Sequence, residues 1–191
     1  VGETLADVRE VMVGGPSGLL AVCTENRPRY EASRRRVLWP SGAVAHVFSS
    51  EDPESLRGPQ FAAAWCDELG KWKNAEATWD MLQFGLRIGP RLKQIITTTP
   101  RPTRLMKRLL ADPGVVRARL STARNRENLA KGFVEALDER YGGTRLGRQE
   151  LDGELIEDRQ DALWSRQMLV EARVREAGEL RRIVVAVDPP A

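Results

Sequence analysis

The sequence predicts an α/β fold organised around a mostly parallel sheet. Residues 61–66 form an unbroken apolar run after a Gly-Pro pair, as in strands that are covered on both faces. Residues 93–100, 104–111 and 115–120 have the patterns of strand, helix and strand, which together predict a βαβ unit. We therefore expect residues 1–122 to form an α/β sheet domain that is incomplete.

A helix is the alternative for residues 61–66, because three of the six are alanine, the strongest helix former. Asp67 and Glu68 would then lie on the surface of that helix and face solvent. The Gly-Pro start and the lack of a polar face across the run favour the strand.

The amino-terminal part combines short helices with a hairpin. Residues 3–13 have apolar side chains at helical spacing, and Thr4 can cap this helix. Residues 17–24 predict a second, shorter helix. Two apolar strand patterns, at 37–39 and 44–48, flank a Pro-Ser-Gly turn and predict a β-hairpin.

Two further helices are expected in the α/β part. Residues 71–85 have Trp72 and Trp79 at helical spacing, as side chains that pack into a core. Thr103 can cap a helix over 104–111, which an Asp-Pro-Gly sequence ends.

The pattern changes after Ser121. Three helices are predicted, over 126–141, 145–152 and 165–177, so residues 123–181 are expected to form a small helical subdomain. Residues 182–191 begin with an apolar strand pattern that ends at Asp188. This pattern suggests the first strand of another domain, and both ends of the chain look cut from a longer polypeptide.

The net charge of +3 is unevenly distributed. Clustered arginines can follow a phosphate backbone, although an ordinary solvated surface explains either cluster equally well. One cluster consists of Arg27, Arg29, Arg34, Arg35 and Arg36, and the other of Arg87, Arg91, Lys93, Arg101, Arg104, Lys107 and Arg108.

Several classes of protein are disfavoured by composition. No apolar run approaches the roughly 18 residues of a membrane span, and the amino end lacks a signal-peptide pattern. Cys23 and Cys66 have neither metal-site nor redox-motif spacing, which indicates a reducing compartment. His46 is the single histidine and is expected to be structural, so a zinc site is disfavoured.

The chemistry is expected at the carboxyl ends of the strands. Asp67 and Glu68 follow the apolar run, and adjacent side chains on a strand point to opposite faces. One acid can therefore hold Mg²⁺ while the other orients a water molecule. With three threonines ending the next strand and Arg57 upstream, this pattern predicts a nucleotide hydrolase of the additional-strand P-loop class.

No phosphate-binding loop is present in the sequence. The glycine-rich segment 14–18 is not followed by Lys-Ser or Lys-Thr. Gly70-Lys71 is followed by Trp72, where a serine or threonine is needed. The Walker A motif of such an ATPase is therefore expected upstream of Val1.

Four segments resemble the large terminase subunits of tailed phages and gene transfer agents. The first resembles the Walker B region of that family and consists of Leu56-Arg57-Gly58-Pro59-Gln60-Phe61, with Trp65, Asp67-Glu68-Leu69 and Trp72. Thr97-Thr98-Thr99-Pro100-Arg101-Pro102 is similar to its coupling motif, and residues 141–153 and 162–164 are similar to its linker subdomain. Residues 184–189 resemble the first strand of its ribonuclease-H-like nuclease domain.

The resemblance implies a motor that uses ATP to move double-stranded DNA into a procapsid and an endonuclease that cuts the concatemer. Asp67 would be the Walker B acid that coordinates Mg²⁺ through ATP, and Glu68 the carboxylate that activates water. Thr97, Thr98 and Thr99 would couple hydrolysis to movement. Arg57 matches a position proposed as a trans-acting arginine finger, and Asp188 would be the first metal ligand of the nuclease.

The implied cofactors are ATP and Mg²⁺, with a divalent metal in the nuclease domain. The implied partners are DNA, the portal protein, the small terminase subunit and further copies of the chain in a ring. The resemblance places the protein in the cytoplasm of the bacterial host and transiently on the procapsid, without membrane contact. Because the Walker A loop and most of the nuclease are missing, this chain alone is expected to hydrolyse no ATP.

Two other functions remain open from the sequence. One is a different DNA-translocating or helicase-like ATPase, although no helicase motif follows. The other is a non-enzymatic DNA-binding module in which Asp67 and Glu68 are surface residues. An exposed helix at residues 61–66 would favour this second alternative.

Overall fold

The computed structural model describes residues 1–156, 168 and 172–173. The chain divides into two compact units, Val1–Ile156 and Glu157–Ala191, and every element described below belongs to the first. Its strands are β1 (Arg29–Glu31), β2 (Arg36–Leu38), β3 (Val44–His46), β4 (Ala63–Asp67) and β5 (Lys93–Thr97). Its α-helices are α1 (Leu5–Asp7), α2 (Leu19–Val22), α3 (Ala75–Gly85), α4 (Arg104–Ala111), α5 (Phe133–Tyr141) and α6 (Arg145–Glu150).

The first helix begins as predicted, at a capping box. The Thr4 hydroxyl accepts a hydrogen bond from the Asp7 N–H at 3.1 Å, and the Asp7 carboxylate accepts one from the Thr4 N–H at 3.2 Å. After α1 the helix continues as a π-helix over Val8–Val13. The predicted helix at 3–13 is therefore confirmed, with a wider turn in its second half.

The predicted hairpin is confirmed and gains a third strand. β1, β2 and β3 form an antiparallel sheet in that order, with Val37 opposite both Tyr30 and Ala45. Gly42 adopts a φ of +86° in the β2–β3 turn, a conformation that glycine adopts without strain. Val37 is fully buried and packs with Val8 and other apolar residues of the amino-terminal helix.

Residues 61–66 lie mostly in β4, so the strand prediction is confirmed and the helix alternative is wrong. β4 and β5 pair in parallel, with α3 as the connection between them. The prediction that both faces are buried is wrong. Cys66 is fully buried on one face, whereas Ile95 is 64% exposed on the other. On that second face Trp65 packs against the apolar cluster of Val8, Met12 and Val37, whereas Thr97 is exposed.

The first two residues extend this parallel pair on the other side of β4. Val1 N donates to Trp65 O at 2.7 Å, and Asp67 N donates to Val1 O at 2.9 Å. Val1 thus bonds to two residues of β4, Trp65 and Asp67, which is the hydrogen-bond pattern of parallel strands. Gly2 forms an isolated parallel bridge to Ser49 in turn.

The main core lies beneath the covered face of β4 and β5. Helices α3 and α4 contribute half of its buried side chains, and their apolar residues pack against Cys66 and the half-buried Ile96. The helix over 104–111 has the predicted bounds, and the Thr103 hydroxyl accepts from Met106 N at 3.2 Å. The buried members are Leu56, Cys66, Leu69, Trp72, Trp79, Leu82, Leu86, Leu105, Met106 and Leu109.

The predicted strand at 115–120 is wrong. These residues have no regular secondary structure, and Val116 is 98% exposed. A strand requires a neighbour for its backbone hydrogen bonds, and the described residues place none beside this segment. The βαβ unit expected from 93–120 is therefore absent, and the one that forms is β4–α3–β5.

Two other sequence expectations differ from the structure. The helix predicted over 126–141 is shortened to α5, because Thr122–Asn128 forms a 3-10 helix and Gly132 adopts a φ of +78°. Instead of a mostly parallel sheet, the described residues form an antiparallel sheet of three strands and a parallel pair. The α/β class is confirmed, and α6 matches the helix predicted from residue 145.

Some sequence predictions lie outside the described residues. These are Asp188, the 182–191 strand and nearly all of the helix predicted over 165–177. Among the helices that are described, none has the length and apolar character needed to cross a membrane.

Two residues of α3 test how strongly the fold depends on the main core. Leu82 is 1% exposed and Phe84 is 72% exposed. We expect Leu82→Ala to lower the free energy of unfolding by about 2–5 kcal/mol, because it leaves a cavity. Phe84→Ala should change it by about 0.5 kcal/mol or less. Urea unfolding followed by circular dichroism measures both values, and equal losses would contradict the described packing of α3.

Candidate active site

Asp67 and Thr97 face each other at the carboxyl ends of β4 and β5. The parallel register makes them Cα partners, on the face of the sheet that meets solvent. The Thr97 hydroxyl donates a hydrogen bond to Asp67 Oδ1. Trp65 Nε1 donates to Thr97 Oγ1 at 3.0 Å. Three side chains from two strands thus form one hydrogen-bonded chain on this face.

Glu68 turns away from the strand that Asp67 ends. Its backbone lies in the left-handed region, with φ of 50° and ψ of 41°. Glu68 Oε2 is 3.8 Å from Lys71 Nζ, and it is buried without a hydrogen-bond partner among the described residues. A buried carboxylate oxygen without a hydrogen-bond donor is uncommon in folded proteins, and here the Lys71 ammonium provides an ion pair.

The segment that follows Glu68 is held against the residues after β5. Gly70 N donates to Thr98 Oγ1 at 2.9 Å, and the Thr98 hydroxyl donates to Thr99 O at 2.9 Å. A Cβ atom at Gly70 would lie 2.8 Å from Thr99 O, so only glycine allows this approach. The three threonines therefore contact both the Asp67 carboxylate and the loop that contains Glu68.

Sequence reasoning missed two residues of this site. The sequence pattern points to Trp65 only within a family motif, and to Gly70 only within Gly70-Lys71, which does not match a phosphate-binding loop. The spacing of Trp65 from Asp67 held a signal, because residues i and i+2 of a strand share a face. The role of Gly70 depends on its contact with residues 98–99, which the local sequence does not specify.

Arg57 is not part of the hydrogen-bonded group. It follows a 3-10 helix over Pro53–Leu56, and its Nε lies 3.0 Å from the Glu54 carboxylate. Its side chain is 68% exposed. The structure thus brings Asp67, Glu68 and the threonines together, whereas Arg57 faces solvent beside Glu54.

The donor set suits a magnesium ion that arrives with a nucleotide. Mg²⁺ usually takes one or two carboxylates and completes its shell with waters and substrate phosphates. Asp67 and the Thr97 hydroxyl offer such oxygens. Among the described residues, no three His, Cys, Asp or Glu side chains form a metal cage. The residues present therefore fit a shared Mg²⁺ and do not fit a protein-only metal site.

The arginine cluster at 27–36 divides into paired and unpaired members. Arg29 and Arg36 lie 2.7 Å and 2.6 Å from the Glu31 carboxylate. The hydrogen bond from Arg36 lowers the pKa of Glu31. Within the described part of the chain, Arg34 and Arg35 form no ion pair, and both line an open cavity of about 200 Å³ together with His46.

The strand that carries Asp67 also places a thiol in the core. Cys66 is fully buried, and burial raises the pKa of its thiol to about 11. Since the thiolate is the reactive form, Cys66 should be protected at neutral and mildly alkaline pH. Cys23 is only half-buried.

Thiol labelling tests this arrangement. We expect a chromogenic aromatic disulfide reagent at mildly alkaline pH to modify Cys23 in the folded protein and to modify Cys66 only after urea is added. Cys23→Ser should remove the fast reaction and keep the urea-dependent one. Because the Cys66 thiolate forms only as pH approaches about 11, its slow labelling should accelerate at high pH before the protein unfolds. Rapid native labelling of Cys23→Ser would contradict the burial of β4.

Comparison with known proteins places this geometry in a family. Residues 1–171 match the family described as terminase large subunit, T4likevirus-type, N-terminal. The fold is similar to the large terminase of a thermophilic bacteriophage, with a TM-score of 0.64 and 13% identity. That match covers 81% of this chain and 39% of the phage protein. No curated protein matches significantly. On the family match, which spans most of its length, the chain belongs to the T4-like type of terminase large subunits.

Proposed function

We propose that this chain supplies the Walker B and coupling part of an ATPase that drives phage DNA packaging. The observation that supports this most directly is the bond between Asp67 and Thr97 at the carboxyl ends of two parallel strands. Ligands of open α/β sheets bind at that edge. A chain of the terminase large subunit family with polar groups there is suited to bind a nucleotide.

Each residue of the site has a separate role in this proposal. Asp67 would hold Mg²⁺ that is bound with ATP, and the Thr97 hydroxyl fixes one oxygen of the Asp67 carboxylate. Glu68 would accept a proton from the attacking water through its carboxylate. Mg²⁺, when bound with ATP, neutralises charge on the phosphates. Arg57 is exposed, as a residue that completes the site of a neighbouring subunit must be.

Thr98 and Thr99 connect the site to the rest of the protein. The Gly70–Thr98 bond joins the loop after β4 to the segment after β5. A shift of either segment would therefore move the other. This supports the coupling role proposed for Thr97, Thr98 and Thr99.

The broader proposal extends beyond the described residues. Residues 1–122 would belong to a P-loop ATPase core of the additional-strand class, whose Walker A motif this sequence lacks. Residues 123–181 would form the linker subdomain. Residues 182–191 would begin a nuclease domain, with Asp188 as a ligand for a divalent metal. The complete motor would work as a ring on the procapsid in the host cytoplasm, with the portal protein, the small terminase subunit and double-stranded DNA.

A DNA-binding role is supported by the unpaired arginines. Arg34 and Arg35 lie together beside an open cavity, while Arg29 and Arg36 share the Glu31 carboxylate as an ion-pair partner. Guanidinium groups without a carboxylate partner are available to phosphates. The exposed helix that would favour a non-enzymatic module is not formed, because residues 63–67 are a strand. We therefore propose DNA contact as part of the motor function.

The catalytic assignment is tested by Glu68→Gln in a polypeptide that joins this chain to its Walker A loop. We expect hydrolysis to fall by about 10²–10⁴-fold, because the general base is lost. ATP affinity should change by less than about twofold, since this substitution removes no phosphate contact. Steady-state turnover and equilibrium binding of a fluorescent ATP analogue give the two values. The control Glu10→Gln removes an exposed carboxylate and should leave both unchanged. Equal loss of binding and turnover would contradict the role of Glu68.

The DNA proposal is tested by two matched double variants. Each phosphate contact contributes about 0.9 to the slope of log K against log salt. We expect Arg34→Gln/Arg35→Gln to reduce this slope by about 1–2, measured by fluorescence anisotropy with a duplex at several salt concentrations. Arg29→Gln/Arg36→Gln should reduce it less, because both side chains are already bound to the Glu31 carboxylate. Equal reductions, or affinity independent of salt, would refute the contact.

A further inference from the structure

Trp65 directs the proton of the Thr97 hydroxyl. The indole N–H can only donate, so at 3.0 Å it occupies a lone pair of Thr97 Oγ1. The Thr97 proton is then free to point at Asp67 Oδ1, and an ionised carboxylate can only accept. The chain of bonds thus runs in one direction, from Trp65 through Thr97 to Asp67.

This direction matters because a hydroxyl can otherwise rotate. Thr97 is exposed, so water would compete for its proton and its lone pairs. The indole N–H removes one of those choices and leaves the carboxylate as acceptor. Each bond in such a chain polarises the next, which strengthens the hold on Asp67 Oδ1.

Trp65 is itself fixed by packing. Its side chain packs against the second apolar cluster, which includes Val8, Met12 and Val37. Its backbone carbonyl accepts the bond from Val1 N. The indole is therefore anchored on two sides, so its N–H is held in position before any ligand binds.

We propose that Trp65 is a positioning residue that orients the Asp67 carboxylate for Mg²⁺ through the Thr97 hydroxyl. The inference deepens the proposed function and depends on it for the role of Asp67. Replacing a residue that orients a metal ligand typically lowers metal affinity or activity by about 10–100-fold. Since Oδ1 accepts the bond from Thr97, Asp67 Oδ2 would be the oxygen available to the metal.

The hydrogen-bonded chain can be tested without nucleotide, in the ¹⁵N-labelled 191-residue protein. Its five tryptophans give five indole N–H signals, and Trp65→Phe identifies one by its disappearance. We expect Thr97→Val to shift the Trp65 indole signal more than the other four, and Thr97→Ser to restore its position. Thr98→Val should leave it in place, because Thr98 bonds to Gly70 instead. A Trp65 signal that does not respond to Thr97→Val would overturn the inference.

The role in metal positioning is tested in the polypeptide that carries the Walker A loop. We expect Trp65→Phe to raise the Mg²⁺ concentration for half-maximal hydrolysis about tenfold, with an unchanged KM for ATP at saturating Mg²⁺. Trp39→Phe is the matched control, because Trp39 packs against the same cluster without taking part in the Thr97 bonds. It should leave the Mg²⁺ requirement unchanged.

The outcomes separate this inference from the proposed function. If Trp65→Phe and Trp39→Phe lower the melting temperature alike and neither changes the Mg²⁺ requirement, Trp65 is only a packing residue and the inference fails. If Glu68→Gln and Asp67→Ala leave hydrolysis intact, the proposed active site fails instead. In that case the indole shifts would still show whether the hydrogen-bonded chain exists.

Discussion

The parallel pairing of β4 with β5 determines where Asp67 and Thr97 of the proposed site lie. Its register sets Asp67 opposite Thr97 and Cys66 opposite Ile96. Because side chains alternate along a strand, a shift of one residue would move Asp67 away from Thr97 and place Cys66 on the exposed face. The core beneath one face and the polar chain on the other therefore depend on the same five backbone pairs.

The two faces of this sheet divide structural and chemical roles. Cys66 and Ile96 pack on α3 and α4, so the covered face contributes to the free energy of folding. The other face holds Asp67 and the exposed Thr97, beside Trp65, which packs on the amino-terminal apolar cluster. A carboxylate on that face keeps access to solvent and to a ligand. The loop from Glu68 to Trp72 joins the faces, since the Trp72 indole is buried and donates to Asp67 O at 2.9 Å.

Local sequence patterns predicted most of the elements. Thr4 and Thr103 cap helices as expected, and the segments predicted as strands at 61–66 and 93–100 contain β4 and β5, because capping and side-chain patterns are local properties. Residues 115–120 also alternate, but a strand needs a partner that the pattern cannot supply. The acids and threonines of the site were recognised as strand ends. Their connection through Trp65 and Gly70 was not, since it arises from contacts 28 to 32 residues apart in sequence.

The left-handed backbone of Glu68 lowers the stability of the fold at the position of a proposed catalytic carboxylate. A non-glycine residue with a φ of 50° is uncommon, and sparsely populated conformations cost of order 1–3 kcal/mol. Glycine at this position would relieve that cost and stabilise the turn, but it would remove the carboxylate. The residue that best fits the turn is thus not the residue that the proposed chemistry requires. In the proposed active site, the carboxylate of Glu68 would offset its conformational cost through its role in hydrolysis.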